Sequence, residues 1–577
     1  MTPTLAAQPE SPPRAGAAAS QTVPLRAPDT VMRLARLGSF HQTRLSFMRV
    51  LLRRLDREGW RFTCTRWDVD ARGEGVALYR AQGPARSYTL VCFSHDLPAE
   101  QRTDRVIAEA WDATFALHDG EPSESDIARL RANVPRQEAG RCTSRELVMA
   151  RANKSVRLFE QVADALAQGR QPGPEDLATV GYVMRTTAVY GSGKFGLSDR
   201  ERICARPEFA GPFQAELLTV FMIRAFTVDL VEHAARLRAP ATAVRLDPEL
   251  RRGLGVGNAT GLGMAPFLVN HPALIDRWIT ARETALARVR ALSCAAEWPR
   301  FLDLLGRAQR LAAEWRVDDA VQRARIAELA ADLDRLAAHV RRSAPEGPRP
   351  WDTLFRWAEA QLGLEAQEML VSLLLEPHGD LVDDLAGTMA CDEEATFTID
   401  GSMRVLDLRA LIEQHYGFAL ATDLEQRHAQ ARFWYVSEEK LEPRLGERFE
   451  ESGAEREQPL GVAREVAQLH RALAARAADE SVAAFLLTQP ELRHVVRRVQ
   501  IVARHPYAEI RDNLLDAGMR PIDLLRGKLA CFGATKFDPK SDRWVRITLF
   551  QHAPFPDEIG RRDVDDWALP PLPGRQL

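Results

Sequence analysis

The chain has no charge excess of either sign, no clustered cysteines, and no apolar run long enough to cross a membrane. Its 77 Lys and Arg stand against 80 Asp and Glu, a net charge of −3, so nothing in the balance favours nucleic acid or an anionic membrane surface. Seven cysteines (Cys64, Cys92, Cys142, Cys204, Cys294, Cys391 and Cys531) lie far apart with no C-x-x-C pair. A zinc site or a disulfide framework calls for closer spacing or an extracellular setting, so these are read as reduced thiols. The most apolar window, residues 216–233, is broken by Arg224 and Asp229, whereas a membrane span needs about 20 predominantly apolar residues. Residues 1–28 are rich in Ala, Pro, Ser and Gln. They lack both the apolar centre of a signal peptide and the arginine-rich amphipathicity of a transit peptide, and are read as a disordered tail. The expectation is a cytoplasmic protein with no nucleic-acid or membrane partner. The H-E-x-x-H, G-x-S-x-G and protein-kinase signatures are missing too, so no motif assigns a reaction.

What the chain does have is a globular composition, with 45% hydrophobic and 27% charged residues over 577 positions, enough for several hydrophobic cores. Arginine outnumbers lysine and alanine is abundant, which we read as the coding bias of a GC-rich bacterial genome. Glycine is concentrated in two clusters, 190–199 (Tyr-Gly-Ser-Gly-Lys-Phe-Gly-Leu-Ser-Asp) and 252–266 (Arg-Gly-Leu-Gly-Val-Gly-Asn-Ala-Thr-Gly-Leu-Gly-Met-Ala-Pro), on either side of the long apolar stretch. Glycine loses the most backbone entropy on folding, so such clusters mark tight turns or close approach of a ligand or another segment.

The periodicity predicts a mainly α protein with smaller α+β parts: an N-terminal antiparallel meander, a central helical domain and a mixed C-terminal domain. A helix is expected over 31–58, then strands over 61–70, 75–82 and 87–94 with turns at Arg72-Gly73-Glu74-Gly75 and Gly83-Pro84. Together they make a small α+β domain at 29–140. Helices are expected over 144–167, from Pro174 to a cap at Gly191, over 211–237, 273–292 and 298–342, and over 351–375. The central helical domain is drawn at 141–345, a helical segment at 351–390 and the mixed domain at 391–577. In the last, strands are expected over 395–399, 431–436, 498–503, 529–532 and 544–550, and a helix over 461–478.

Gly191, Gly193 and Gly196 spell G-x-G-x-x-G, but the segment before them has helical spacing, and a dinucleotide fingerprint needs a strand there. A phosphate loop fails as well, since Ala188 and Phe195 stand where it requires glycine and a hydroxyl residue. What survives is weaker: the capping pattern Ser198-Asp-Arg-Glu201 opens a helix whose free N–H groups, with Lys194, Arg200 and Gly193, suit a carboxylate or phosphate. Arg151 and Lys154, with Arg185 just ahead of the first loop, extend this into a cationic region. Asn258 and Thr260 offer polar groups from the second cluster, expected to be a buried loop packed on a helix.

For proton transfer the candidates are His271 beside the second cluster, and Asp229 with His233, which are spaced to meet on one face of the apolar helix. A structural ion pair is the plainer reading of those two. That helix is apolar nearly all round and is expected to be central, so its Arg224, Asp229, Glu232 and His233 must be paired or line a cavity. His378, Asp380 and Asp383 are metal-capable side chains in a spacing that matches no metal motif; no metal is assigned and the cofactor is unknown. The leading expectation is a bacterial enzyme acting on a small anionic metabolite between the two glycine loops, with the reaction type unknown. The alternative is a non-enzymatic helical scaffold or regulatory protein that self-associates into a homo-oligomer.

Overall fold

A computed structural model describes residues 23–98, 110–133, 143–186, 203, 205–261, 271–342, 346–389, 397–421, 423, 462–510, 521–533, 537–541 and 544–569. Within them nine strands form one sheet of order β1-β2-β3-β4-β5-β6-β7-β9-β8. The strands are β1 (Arg61–Val69), β2 (Gly75–Gln82), β3 (Ser87–Ser94), β4 (Ala113–Asp119), β5 (Glu146–Lys154), β6 (Tyr182–Thr186), β7 (Gly255–Gly261), β8 (Phe537–Ser541) and β9 (Trp544–Leu549). Neighbours are antiparallel except β6 and β7, the one parallel pair among the described residues. The chain between these two strands carries the central helix Gln214–Arg238.

Alternation along the strands separates two faces. Ala77, Tyr79, Leu90, Cys92, Phe115, Ala150 and Ala152 point inward and share a core with the central helix. Val76, Leu78, Val91, Phe93, Ala116 and Met149 point outward and pack with Ile127 and Leu130 of the helix Glu124–Asn133. The sheet curls around the central helix. Phe221 meets Phe62 of β1 on one side (5.8 Å) and Phe550, just past β9, on the other (5.3 Å). Phe226 meets Trp67, Tyr79 and Phe115 from β1, β2 and β4. Because strands surround it, 18 of its 25 residues are buried, where a helix lying on a surface would bury one stripe.

Arg224 on this helix is fully buried and reaches only backbone carbonyls: Leu254 (2.7 Å), Ala553 (2.8 Å), Pro554 (3.1 Å) and Arg252 (3.0 Å). Its guanidinium also lies 3.9 Å over the Phe555 ring. The cation thus ties the segment after β9 to the centre of the sheet.

Among the described residues the longer elements beyond β7, apart from β8 and β9, are helices: Pro272–Arg290, Trp298–Glu314, Ala320–Arg342, Pro350–Gln361, Leu364–Leu375, Val405–Leu420, Val462–Ala474, Arg493–Arg504 and Pro521–Phe532. The protein is therefore helix-rich with one mixed sheet, and the three meander strands stand where their alternation puts them.

Several expected elements differ. The helix expected over 31–58 is three short ones, Pro28–Val31, Leu34–Leu37 and Phe47–Arg57. The helix over 144–167 is β5 followed by the helix Val156–Ala167. The helix from Pro174 stops at Val180, where Gly181 adopts φ 79° and donates its N–H to Leu177, and β6 follows. The second glycine cluster is in part strand β7 rather than loop. The strands expected over 498–503 and 529–532 are helical. The long helix 298–342 is interrupted between Glu314 and Ala320, and 351–375 between Gln361 and Leu364. Residues 397–400 carry no strand, and 395–396 and 431–436 lie outside the described residues. The sheet runs across the boundaries drawn at 140 and 391: β4 pairs with β5, and β7 pairs with β9.

Candidate functional site

The structure brings several of the expected binding residues onto adjacent strands. Gly181 ends the helix Pro174–Val180, and Tyr-Val-Met-Arg-Thr, rich in β-formers, then runs as β6 between β5 and β7. Ala113, Ala152, Thr186 and Asn258 form one row across β4, β5, β6 and β7. Arg185 stands opposite Asn153, and Arg151 lies two residues before Asn153, so all three project from the outer face. Arg185 is buried, and Arg151 lies 5.3 Å over the Trp111 ring.

Lys154 has the opposite parity and places its ammonium 4.9 Å from the Phe159 ring centre on the inner face. Asp112 joins these strand ends, donating its N–H to the Asn153 amide oxygen and accepting the Lys154 N–H, both at 2.9 and 2.9 Å respectively. Asn258 and Thr260 lie in β7, with Asn258 the register partner of Thr186. Gly193, Lys194 and Arg200 lie outside the described residues, in the segment 187–202 that continues from β6.

The glycines of β7 have a packing explanation. A Cβ on Gly255 would lie 2.3 Å from the carbonyl oxygen of Leu549, and one on Gly257 would lie 2.5 Å from the Tyr182 ring. These positions are glycine because neighbouring strands and side chains press against them.

Asp229 and His233 do not bond to each other. The Tyr79 hydroxyl donates to Asp229 at 2.5 Å. Burial raises the Asp229 carboxyl above the ordinary aspartate range, only partly opposed by the Tyr79 hydrogen bond. The same burial, with the Asp229 charge beside it, raises the Tyr79 hydroxyl well above its usual value. The Trp67 indole N–H faces His233 Nδ1 at 3.4 Å, and His233 Nε2 faces the Asp70 carbonyl at 3.3 Å. With Nδ1 accepting and Nε2 donating, both ring nitrogens are engaged.

This cluster sits against β1 and β2, four strands from β6, which is on the order of 19 Å along the sheet at about 4.8 Å per strand. It also faces inward, whereas Arg151 and Arg185 face outward. Tyr79 and Trp67, the partners that settle the roles of Asp229 and His233, were not singled out by sequence; their inward parity within the meander is the signal that finds them.

His271 is half-buried at the head of the helix Pro272–Arg290, accepting the Ile275 N–H on its carbonyl. The acidic stretch around His378 is drawn into ion pairs: Glu376 with Arg49, Asp383 with Arg44 and Arg53, and Asp384 with Arg288. His378 itself is buried, with Nδ1 2.8 Å from the Leu374 carbonyl and its ring edge-on to Trp351. Among the described residues no group of three or more His, Cys, Asp or Glu side chains is placed to hold a metal ion, and no helix is long and apolar enough to cross a membrane. No protein-family model, no curated protein and no solved structure matches this chain.

Proposed function

We propose that the chain is an enzyme acting on a small anionic metabolite bound at the carboxyl end of the β6–β7 parallel pair. The observation that carries this reading is the gathering of Arg151, Asn153 and Arg185 at the ends of β5 and β6, beside the strand that leads into the first glycine cluster. In α/β sheets, ligands sit outside the carboxyl ends of parallel strands, where the chain leaves for its crossover. Two guanidiniums and an amide in that position suit a carboxylate or phosphate, since the planar arginine fork binds either through two hydrogen bonds. Lys194 and Arg200, on the segment continuing from β6, complete the anion set, while Asn258, in the row of the inward Ala152, and Thr260 have the parity of the other face.

For proton transfer the reading keeps His271, which follows the nine residues that leave β7. It gives up His233, whose two ring nitrogens are engaged, and leaves Asp229 as the partner of Tyr79 on the other face.

The test is a melting-temperature comparison with inorganic phosphate, citrate and AMP as probes. At a concentration about 100 times Kd, an anion stabilises the wild-type chain by about 2.7 kcal/mol. Arg185→Gln and Arg151→Gln should each lose most of that gain while keeping the wild-type circular dichroism. If all three probes leave the wild type unmoved, or the variants respond as the wild type does, the site is not here and the helical scaffold becomes the better account.

A further inference from the structure

The N-terminal segment 23–27 lies over the helical part of the protein with two buried side chains, Val23 and Arg26. Arg26 is buried between the helices Pro272–Arg290 and Leu364–Leu375, while its neighbours Leu25 and Ala27 are exposed. Its guanidinium is held on both edges. Nε and Nη2 bond the two oxygens of Glu283, each at 2.7 Å, and Nη1 bonds Glu368 at 2.7 Å with Nη2 at 3.4 Å from the second Glu368 oxygen. The Phe355 ring lies 5.8 Å away on the helix Pro350–Gln361. The backbone is received as well, because the Tyr507 hydroxyl donates to the Arg26 carbonyl at 2.6 Å.

The two carboxylates do not depend on Arg26 for their placement. Arg282 bonds Glu283 at 3.0 Å and Glu368 at 2.5 Å, and Arg36 bonds Glu368 at 2.6 Å. Arg282 is in turn stacked 4.0 Å over Phe40. Arg36 and Arg282 already balance Glu283 and Glu368, so the pocket remains neutral when Arg26 is taken away. A planar fork between two oriented carboxylates, beside an aromatic face, with a hydroxyl on the adjoining carbonyl, is an arrangement for recognising an arginine within a peptide.

We propose that Glu283, Glu368, Phe355 and Tyr507 form a receptor for a guanidino group, and that the chain's own segment 23–27 occupies it as a displaceable tethered ligand. The strap and a free guanidino compound then exclude one another.

N-acetyl-L-arginine amide is the probe, and N-acetyl-L-lysine amide the control, because an ammonium cannot match the fork. Titration calorimetry of the full chain carrying Arg26→Ala should show arginine-amide binding at a millimolar Kd or tighter, with the lysine amide at least about tenfold weaker. The wild type, its receptor filled, should bind neither at the same concentrations. Equal binding of the two probes, or none by a variant with wild-type circular dichroism, overturns the proposal and leaves a structural ion network. Should that variant not fold, hydrogen exchange on the wild type decides: the arginine amide, raised well above the calorimetric concentrations so that it competes with the strap, should speed exchange at residues 23–31 several-fold and the lysine amide should not, and unchanged exchange overturns the proposal.

Discussion

Gly253, Gly255 and Gly257 lie within five residues, yet their surroundings separate packing from ligand approach. A Cβ on Gly253 would meet nothing within 4 Å, whereas on Gly255 it would lie 2.3 Å from a backbone oxygen and on Gly257 2.5 Å from an aromatic ring. Comfortable heavy-atom contacts are about 3.5–4.0 Å, so Gly255→Ala must move β7 away from β9 by about 1 Å. Overpacking of this kind costs about 1–3 kcal/mol, and the upper half of that range applies because the obstacle is backbone rather than the end of a flexible side chain. Gly257→Ala falls in the same range, relieved in part by movement of the Tyr182 ring. Gly253 ends the helix Pro248–Gly253, where alanine should be neutral or stabilising by up to about 1 kcal/mol.

The three alanine variants should therefore separate by about 2–4 kcal/mol in urea unfolding followed by far-ultraviolet circular dichroism. Equal midpoints for all three would refute the packing account. So would a Gly255→Ala variant that keeps wild-type stability but loses anion-induced stabilisation, since the glycine would then be making room for a ligand.

Asp229 has a folded pKa raised by burial, so its contribution to stability is present below the ordinary aspartate range and is lost as pH rises through the folded value. Asp229→Asn, which can still accept the Tyr79 hydrogen bond, should accordingly gain on the wild type in urea midpoint as pH is raised from about 4 to about 8; a pH-independent difference contradicts this. His41 behaves in the opposite sense. Burial, then the charge of Arg526, pushes it down to about 3, so its contribution is fully present above the usual histidine value and is lost as pH falls toward 3. His41→Gln should flatten the acid side of the stability profile, where one proton accounts for at most about 1.4 kcal/mol per pH unit. Arg224→Met removes the donors serving the Leu254, Ala553 and Pro554 carbonyls and should cost on the order of 3 kcal/mol. It should also expose the segment after β9 to limited proteolysis before the rest of the chain.

The strands β1, β2 and β3 were legible because each is a short run of β-forming residues bounded by turn residues, and the central helix because it is apolar on nearly every side. Where the reading failed, local pattern was ambiguous and a distant partner decided. Residues 146–154 carry enough apolar positions to pass for the start of a helix, and become β5 because β4 and β6 bond to both edges. Residues 498–503 are rich in β-branched side chains, yet Val495, Val499 and Val502 form one stripe of a helix in the main core. Of the candidate site, the cations Arg151 and Arg185 were found by type and proximity to glycine, but the opposite facing of Lys154 follows only from strand parity.

By itself the sequence determined that one long helix must be enclosed and that its charges need partners, because hydrophobic periodicity and the cost of burying charge are properties of the residues themselves. The partners came from elsewhere in the chain: Tyr79 for Asp229, carbonyls beyond residue 550 for Arg224, and the β9 backbone against Gly255. Tertiary structure alone decided these, since which residue lies opposite another depends on strand order and register. A shift of one residue in register would turn every side chain to the other face.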